Sequence, residues 1–257
     1  MDAQIVKRLI ALNREFYARF AREFSATRSS ERFNLAPLKP YLFDGARVLD
    51  IGCGNGRLAE RLDRDGFRLN YLGIDVTPEL IAMANARKPR LARVSADFRV
   101  GDITARGWTD TLEPSAPFDL VLALAVLHHV SSFELRRAAI RDVRAVLRPG
   151  GVFVMSNWRF MHNARLRKKI VPWQTVGIDA EALEAGDALL DWQRGGTGCR
   201  YCHQLTEAEI ESLAAQGGFQ VAAQFHADAD LNLFSILNNP HRFLSGVVKT
   251  PAHSTAP

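Results

Sequence analysis

The stretch RVLDIGCGNGRL, residues 47–58, decides the fold of this chain. Its first residues form a short apolar run of the kind that makes a buried strand. Glycines at positions 52, 54 and 56 follow, and they are typical of a tight turn that leads directly into a helix. Such a turn tolerates positive φ angles and exposes backbone N–H groups at the helix start, so a ligand can approach the main chain there. We therefore predict a strand, a glycine-rich turn and a helix, with a ligand site at the turn.

Four more apolar runs follow this stretch, with helical segments between them. The runs are YLGID (71–75), FRVGD (98–102), FDLVLALAV (118–126) and GVFVMSNW (151–158). Thr77 as an N-cap, followed by Pro78, predicts the start of one intervening helix. The capping-box pair Ser131 and Glu134 predicts the start of another. Apolar strands that alternate with helices predict an α/β fold with a doubly wound, mainly parallel sheet.

The chain outside this core divides into three segments. Apolar residues recur at helical spacing over residues 3–27, which predicts an amphipathic helix within an N-terminal helical lid, 1–40. The core, 45–158, is followed by an insertion on the substrate side, 159–203, where the alternation stops and a basic block precedes an acidic one. A capping box at Thr206 and two strand-like runs predict a helix and a closing hairpin within 204–238. The tail from His241 onward is expected to be loose. We expect all of this to form a single domain.

Composition limits the class of protein. The chain has 257 residues, 47% of them hydrophobic and 24% charged, as in a globular protein. No apolar run approaches the roughly eighteen residues that a membrane crossing needs, and the N-terminus lacks an export signal, so a cytoplasmic protein without membrane contact is expected. Three cysteines offer no disulfide framework. A net charge of +5 mildly favours an anionic partner.

Three acidic residues stand at the ends of the first three apolar strands. Asp50 precedes the glycine turn, where a carboxylate repels a diphosphate and suits a cation. Asp75 is placed to accept from two ribose hydroxyls, and Asp102 from an exocyclic amine. Because the carboxyl ends of parallel strands meet at one edge of a sheet, these side chains point to one ligand with an ammonium, a ribose and an adenine but no phosphate. S-adenosylmethionine has those parts, and the alternative for each acid is a cap or turn residue.

The motifs over residues 45–158 resemble, in order, those of the class I S-adenosylmethionine-dependent methyltransferases. The resemblance implies a seven-stranded sheet that ends in an antiparallel hairpin. It also implies a methyl-transfer site walled by the chain around Leu124, Ala125 and His128. The positions that it brings to the cofactor are Asp50, Gly52, Cys53, Gly54, Asn55, Asp75, Val76, Asp102, Ile103, Leu124 and Ala125.

Three further stretches resemble one subfamily, the tRNA wobble-uridine methyltransferases that esterify 5-carboxymethyluridine. They are FYARFAREFSATR (16–28), the segment 123–151 and CRYCHQLTEAEIESL (199–213), where Cys202 stands in place of a family tyrosine. The resemblance implies a tRNA substrate and, for some members, a small activating protein partner. Tyr17 and Arg28 are then expected to complete the lid over the cofactor. The candidate catalytic residues are His128, Arg200 and His203, with the Arg200 fork pairing with a substrate carboxylate.

Other acceptors stay open at this stage. A carboxylate acceptor is ionised at neutral pH and needs no general base, whereas a phenol needs one, and His128 or His129 could serve. We interpret both histidines as lining the pocket. The alternatives are a methyltransferase of a small molecule, such as a quinone precursor or a carboxylic acid, and an S-adenosylmethionine-binding protein that acts by interaction.

Two local patterns allow other partners. The basic residues of 159–169, with Trp158, Phe160 and Trp173 as stacking faces, are a candidate surface for an RNA backbone. The run Cys199–His203 also fits the C-x-x-C-H haem pattern and part of a zinc site, in which His162 and His226 could take part. Without an export signal or diagnostic spacing, we predict no metal site.

Overall fold

The computed structural model describes residues 1–27, 34–112 and 116–240, and a seven-stranded sheet forms its centre. In chain order the strands are β1 (Arg47–Ile51), β2 (Asn70–Asp75), β3 (Ser95–Val100), β4 (Phe118–Leu124), β5 (Leu147–Trp158), β6 (Ile170–Val171), β7 (Asp187–Trp192), β8 (Gly198–His203), β9 (Gln220–Ala227) and β10 (Asn232–Asn238). The central sheet has the order β3-β2-β1-β4-β5-β10-β9. Strands β1 to β5 pair in parallel, and β10 is antiparallel to both of its neighbours. This confirms the doubly wound, seven-stranded sheet and its closing hairpin.

Helices cover both faces of this sheet. They are α1 (Ala3–Arg19), α2 (Ala21–Ala26), α3 (Arg57–Arg64), α4 (Pro78–Asn85), α5 (Phe133–Val146), α6 (Ala164–Arg167) and α7 (Glu207–Gly217). Leu49 of β1 belongs to the apolar layer that also holds side chains of α5 and α7, whereas Val48 packs with α3 and α4. Successive residues of one strand thus enter opposite layers, which explains why the buried parallel strands are apolar throughout.

Two helix boundaries differ from the sequence-based prediction. The predicted N-terminal helix is interrupted at Phe20 (φ −110°, ψ 19°), whose ring packs against Phe16 and Trp192 while α2 turns toward the glycine-rich loop. The N-cap of α5 is Ser132, not Ser131, because the Ser132 hydroxyl accepts from the N–H of Leu135. Thr77 and Thr206 do occupy the N-cap positions of α4 and α7.

The segment between β5 and α7 forms a second, antiparallel sheet of β6, β7 and β8. Helix α1 packs on it through Asn13, whose Oδ1 accepts from the N–H of Tyr201 at 2.8 Å and whose Nδ2 donates to the Tyr201 carbonyl at 3.2 Å. The same Nδ2 donates to the carbonyl of His129 at 3.2 Å. These bonds hold α1 and the small sheet over the carboxyl ends of the central strands.

Among the residues that the structure describes, none of the helices combines the length and the apolar character that a membrane crossing requires.

Candidate functional site

A deep cleft of about 490 Å³ opens at the carboxyl ends of β1, β2, β3 and β4. The glycine-rich loop forms its floor, α1 and α2 form a roof, and the ends of β5 and β10 form the far wall. Its volume is typical of a small-ligand pocket. All described residues that the sequence assigned to the cofactor line this cleft: Tyr17, Asp50, Gly52, Cys53, Gly54, Asn55, Asp75, Val76, Asp102, Ile103, Leu124 and Ala125. Arg28 lies outside the described residues.

Asp50 closes the buried end of the cleft. Its side chain is almost fully buried, and the Tyr71 hydroxyl donates a hydrogen bond to Oδ2. Burial raises the pKa of Asp50 to about 7, assisted by the nearby Asp75 and opposed by the Tyr71 hydrogen bond and by Arg57. A cation that enters the cleft beside this carboxyl favours the ionised form. Asp50 can therefore hold a positively charged ligand group.

The glycine-rich loop gives a ligand access to the backbone. Gly52 has φ +67°, and a Cβ there would lie 2.4 Å from Val126 Cγ2, so no side chain fits. Gly54 has φ +57°, and a Cβ there would meet nothing within 4 Å, because the residue faces open space. Asp75 fixes the loop, since its Oδ2 accepts from the Gly54 N–H at 3.0 Å and its Oδ1 from the Thr77 N–H at 2.9 Å. The remaining lone pairs of this carboxylate are available to ribose hydroxyls.

Asp102 lies two residues beyond β3 and is engaged from two sides. Its Oδ1 accepts from the N–H and the hydroxyl of Thr104, at 2.8 and 2.7 Å, and its Oδ2 forms an ion pair with Arg14 of α1. A ligand amine at Asp102 therefore lies directly under α1. Ile103 adds an apolar edge beside it.

A hydrogen bond also joins the helical roof of the cleft to the glycine-rich loop. Asn55 donates through Nδ2 to the hydroxyl of Ser25 in α2 at 2.5 Å, and its Oδ1 accepts from Nε of Arg57 at 3.1 Å. Tyr17 of α1 packs edge-on against Phe24 of α2, and both line the cleft. The N-terminal helices thus contribute side chains to the cleft and contact its glycine-rich loop.

A tyrosine–histidine pair stands at the inner wall of the cleft. The Tyr17 hydroxyl and Nε2 of His129 are 2.8 Å apart, and Nδ1 of His129 is 3.0 Å from the carbonyl oxygen of Tyr201. Because a carbonyl only accepts, Nδ1 of His129 has to carry a proton in this contact, and the tautomer with a single proton on Nδ1 accepts from the Tyr17 hydroxyl through Nε2. The cleft therefore contains a hydroxyl backed by a base. Both residues were candidates from the sequence, but their separation of 112 positions hides the contact between them.

The backbone opposite this pair is unusual at Ala125. This residue has φ +60°, which only a small fraction of non-glycine residues adopt. Its N–H donates to the carbonyl and the hydroxyl of Ser156, at 2.9 and 3.1 Å. The turn brings the end of β4 into the cleft beside Leu124.

The structure corrects the expected position of His128. This residue is fully buried and does not line the cleft. Its ring packs against those of His129 and Trp158, with centroids 4.2 and 4.6 Å away, and its Nδ1 accepts from the Trp158 N–H at 3.4 Å. Both histidines belong to the 3₁₀ turn Leu127–His129, whose tight winding sends consecutive side chains in different directions, so His129 takes the wall position.

His203 lies away from the cleft in a buried ion network. Its Nδ1 bonds to Asp187 at 2.7 Å and its Nε2 to Glu209 at 2.8 Å. Burial lowers the pKa of His203, but the hydrogen bonds to the two carboxylates outweigh it and raise the pKa overall. Arg136, 1% exposed, links Glu209 to Glu184 in the same network. With both ring nitrogens engaged, His203 ties β8 to α7 and does not reach the acceptor part of the cleft.

Arg200 lies one ring behind the cleft wall. Its side chain is 4% exposed, and its guanidinium carbon is 4.7, 5.2 and 5.7 Å from the ring centroids of Trp158, Phe16 and Trp192. Its Nε and Nη1 are enclosed without a hydrogen-bond partner among the described residues. Trp158 lines the cleft, whereas Arg200 does not.

The two cysteines of the run Cys199–His203 do not come together. Cys199 and Cys202 are three positions apart on β8 and so face opposite sides of the strand, and they pack in different apolar clusters, which separates their thiols. Burial raises the pKa of Cys202 to about 12.

The expectation that Phe160 and Trp173 offer stacking faces to RNA is wrong, because both rings are buried in apolar clusters. In the basic stretch, Arg165 is exposed and lines the rim of the cleft.

Comparisons with known proteins show the family and the fold. A family profile described as a methyltransferase domain matches residues 42–218. The ubiquinone biosynthesis O-methyltransferase of Azorhizobium caulinodans is 31% identical over 79% of this chain and 73% of its own length. The protein of the same name from a Methylobacterium species is 36% identical over 72% of this chain, which spans less than two thirds of that relative, 64%. The crystal structure of a SAM-dependent methyltransferase from Methanosarcina mazei superposes with a TM-score of 0.61 at 24% identity, covering 80% of this chain and 98% of that one.

Proposed function

Because this chain belongs to the class I S-adenosylmethionine-dependent methyltransferases, we propose that it transfers the methyl group to a hydroxyl oxygen of a small molecule. The observation that carries the proposal is the contact between the Tyr17 hydroxyl and Nε2 of His129 inside the cleft. A hydroxyl acceptor has to lose its proton as the new bond forms, whereas a carboxylate acceptor carries none to lose. A base on the cleft wall therefore favours a hydroxyl acceptor.

The residues of the cleft hold the cofactor by complementary chemistry. When bound, S-adenosylmethionine supplies a methyl group on a positively charged sulfur. Of the residues that line the cleft, Asp50 would face the cationic methionine end, Asp75 would accept from the ribose hydroxyls, and Asp102 with Ile103 would receive the adenine. Gly54 leaves the backbone open for close approach. The donor and acceptor set fits this cofactor and disfavours a diphosphate, since three carboxylates line the site.

The proton follows a short path in this proposal. The acceptor hydroxyl donates to the oxygen of Tyr17, while Tyr17 donates to Nε2 of His129. The bound cofactor would supply the methyl group to an electron pair of the acceptor oxygen, and the electrons of its carbon–sulfur bond would stay on the sulfur. The acceptor proton passes to Tyr17, and the Tyr17 proton passes to His129. The carbonyl of Tyr201 keeps the Nδ1 proton in place, so Nε2 stays the accepting atom.

Two other features support a small acceptor. The cleft is roofed by α1 and α2 and has His129 of the histidine turn in its wall, which suits a molecule that fits inside. The relatives from Azorhizobium and Methylobacterium are named for O-methylation in ubiquinone biosynthesis, a transfer to oxygen on a small molecule.

The test compares phenols of different acidity. We expect His129→Gln to lower kcat for an unactivated phenol by about 10²- to 10⁴-fold, the usual contribution of a general base. The same variant should lose little activity with a nitrophenol that is already ionised at the assay pH. Tyr17→Phe should behave in the same way, and His162→Gln, an exposed histidine outside the cleft, is the matched control. Equal losses with both phenols would refute a role for the pair in proton transfer.

A tRNA acceptor is the second candidate. The observation in its favour is the exposed basic group of Arg165, Arg167 and Lys168 at and beside the rim of the cleft. Replacing these residues and Lys169 by Gln should leave cofactor affinity unchanged and flatten the salt dependence of tRNA binding if they contact phosphates. An unaltered salt slope would mean that these charges face water only. A small activating protein remains a prediction tied to this candidate.

A further inference from the structure

Asn13 of α1 joins three parts of the structure through its side-chain amide. The residue is buried in the wall of the cleft. Its Oδ1 accepts from the N–H of Tyr201 at 2.8 Å, while its Nδ2 donates to the carbonyls of Tyr201 and His129, both at 3.2 Å. The reverse orientation would place the NH₂ group against an N–H and the oxygen against two carbonyls, so the surroundings fix which atom is which. Both hydrogens of the amide are therefore committed to backbone carbonyls.

These bonds use the outer side of an edge strand. In the order β6-β7-β8, strand β8 is an edge strand among the residues that the structure describes. The Asn13 amide bonds to both the N–H and the carbonyl of Tyr201, which is how a residue on a neighbouring antiparallel strand would pair. The Tyr201 carbonyl therefore has a fixed position relative to α1.

The Tyr201 carbonyl is also the group that determines where His129 carries its proton. It accepts from Nδ1 of His129 at 3.0 Å and from Nδ2 of Asn13 at 3.2 Å, which uses both of its lone pairs. The same Nδ2 holds the backbone carbonyl of His129. Asn13 therefore fixes the backbone of His129 and the acceptor of its Nδ1 proton in one arrangement.

Tyr17 depends on Asn13 through the helix that carries both. It follows Asn13 by four positions, so the two side chains lie one turn apart on the same face of α1. The Tyr17 hydroxyl is 2.8 Å from Nε2 of His129. The bonds that fix α1 against β8 at Asn13 therefore also fix the position of this hydroxyl relative to the imidazole.

We infer that Asn13 is a positioning residue for methyl transfer, which holds Tyr17 and His129 in the arrangement where Nδ1 keeps its proton and Nε2 accepts one. The inference rests on the proposed function for the role of this pair in proton transfer. The arrangement itself is measurable in the protein without an acceptor. A failure of the proposed function and a failure of this inference are therefore distinguishable.

The first test observes the ring nitrogens of His129 by nuclear magnetic resonance of nitrogen-labelled histidine, at a pH above the titration of the ring. His129→Gln lacks these signals and so assigns them among the seven histidines. The shift of each ring nitrogen reports whether it carries a proton, and we expect one tautomer in the wild type, protonated at Nδ1. Asn13→Leu keeps the approximate size of the side chain but makes no hydrogen bonds. This variant should add the tautomer protonated at Nε2.

The second test measures methyl transfer to the unactivated phenol and to the ionised nitrophenol. Asn13→Leu should lower kcat for the unactivated phenol by about 10²-fold, because a misplacement of about 1 Å can cost that much. Its kcat for the ionised nitrophenol should stay within about twofold of the wild type, since that acceptor has no proton to lose. In the background of His129→Gln, Asn13→Leu should cause no further loss, because residues that act as a unit are not additive.

Arg8→Gln is the matched control. Arg8 is an exposed residue of α1 whose Nη2 donates to the carbonyls of Val176 and Gly177, both at 3.0 Å, so its loss loosens the same helix away from the histidine turn. This variant should keep the wild-type tautomer and both kcat values.

A second variant covers a loss of folding. If Asn13→Leu does not fold, Asn13→Ser decides, because its smaller side chain leaves room for water to satisfy the backbone groups. Four results would overturn the inference: a wild type without the Nδ1 tautomer, an Asn13 variant with only that tautomer, an equal loss in Arg8→Gln, or a further loss on top of His129→Gln.

Discussion

Cofactor affinity should depend on pH through Asp50. Burial raises the pKa of this carboxyl to about 7, so in the free protein it is mostly protonated at pH 6 and mostly ionised at pH 8. The cationic end of the cofactor favours the ionised form, and binding at pH 6 therefore has to expel a proton. With this pKa, affinity should rise about tenfold from pH 6 to pH 8, or about 1.4 kcal/mol. The proton released on binding should fall from about 0.9 at pH 6 to about 0.1 at pH 8.

Calorimetry in buffers of different ionisation enthalpy measures this proton directly. Asp50→Asn removes the titrating group, and at pH 6 the ammonium group of the ligand is protonated with either protein, so the difference between the two proteins at this pH isolates Asp50. Tyr71→Phe is a second perturbation, because its hydroxyl donates to Asp50 and lowers the pKa. This variant should move the midpoint of the pH dependence upward. A wild type that releases no more protons at pH 6 than Asp50→Asn would refute the reasoning.

Three further variants test other parts of the structure. Asp75→Ala should weaken cofactor binding by about 1 to 3 kcal/mol, because the ribose loses a charged acceptor; unchanged affinity by calorimetry would make Asp75 a turn residue only. Arg136→Met should lower the free energy of unfolding by about 3 to 5 kcal/mol, since Glu184 loses its buried partner, and a loss below 1 kcal/mol in urea titration would contradict this. Arg14→Ala removes a largely exposed ion pair with Asp102, so it should change stability by less than about 1 kcal/mol. Stopped-flow measurements should show faster cofactor release from this variant, and an unchanged rate would mean that α1 does not close the site.

Much of the fold follows from local signals in the chain. Short apolar runs bounded by glycine or aspartate identified the first five strands, and N-cap residues such as Thr77 and Thr206 marked helix starts. These signals depend on residues that are neighbours in the sequence, so they can be recognised without a structure. The break in the N-terminal helix at Phe20 could not be recognised from the sequence, because no proline or glycine causes it. The ring of Phe20 packs against Trp192, more than 170 positions away.

The site likewise has a part that could be predicted from the sequence and a part that could not. The cofactor side is built from residues that directly follow strands, and parallel strands bring their carboxyl ends to one edge, so Asp50, Asp75 and Asp102 were predictable as a group. The acceptor side depends on contacts between α1, the histidine turn and the small sheet. Their pairing, Tyr17 with His129, has no signature in the spacing of the chain. The buried pairing of His203 with two carboxylates is hidden for the same reason.

The most direct measurement of the central claim follows a labelled methyl group. The protein is incubated with methyl-labelled S-adenosylmethionine, bulk tRNA and a small-molecule extract together, and the labelled product is isolated and treated with alkali. We expect the label in small molecules, as an ether that survives the treatment. Label in tRNA, released by alkali as from a methyl ester, would contradict the account.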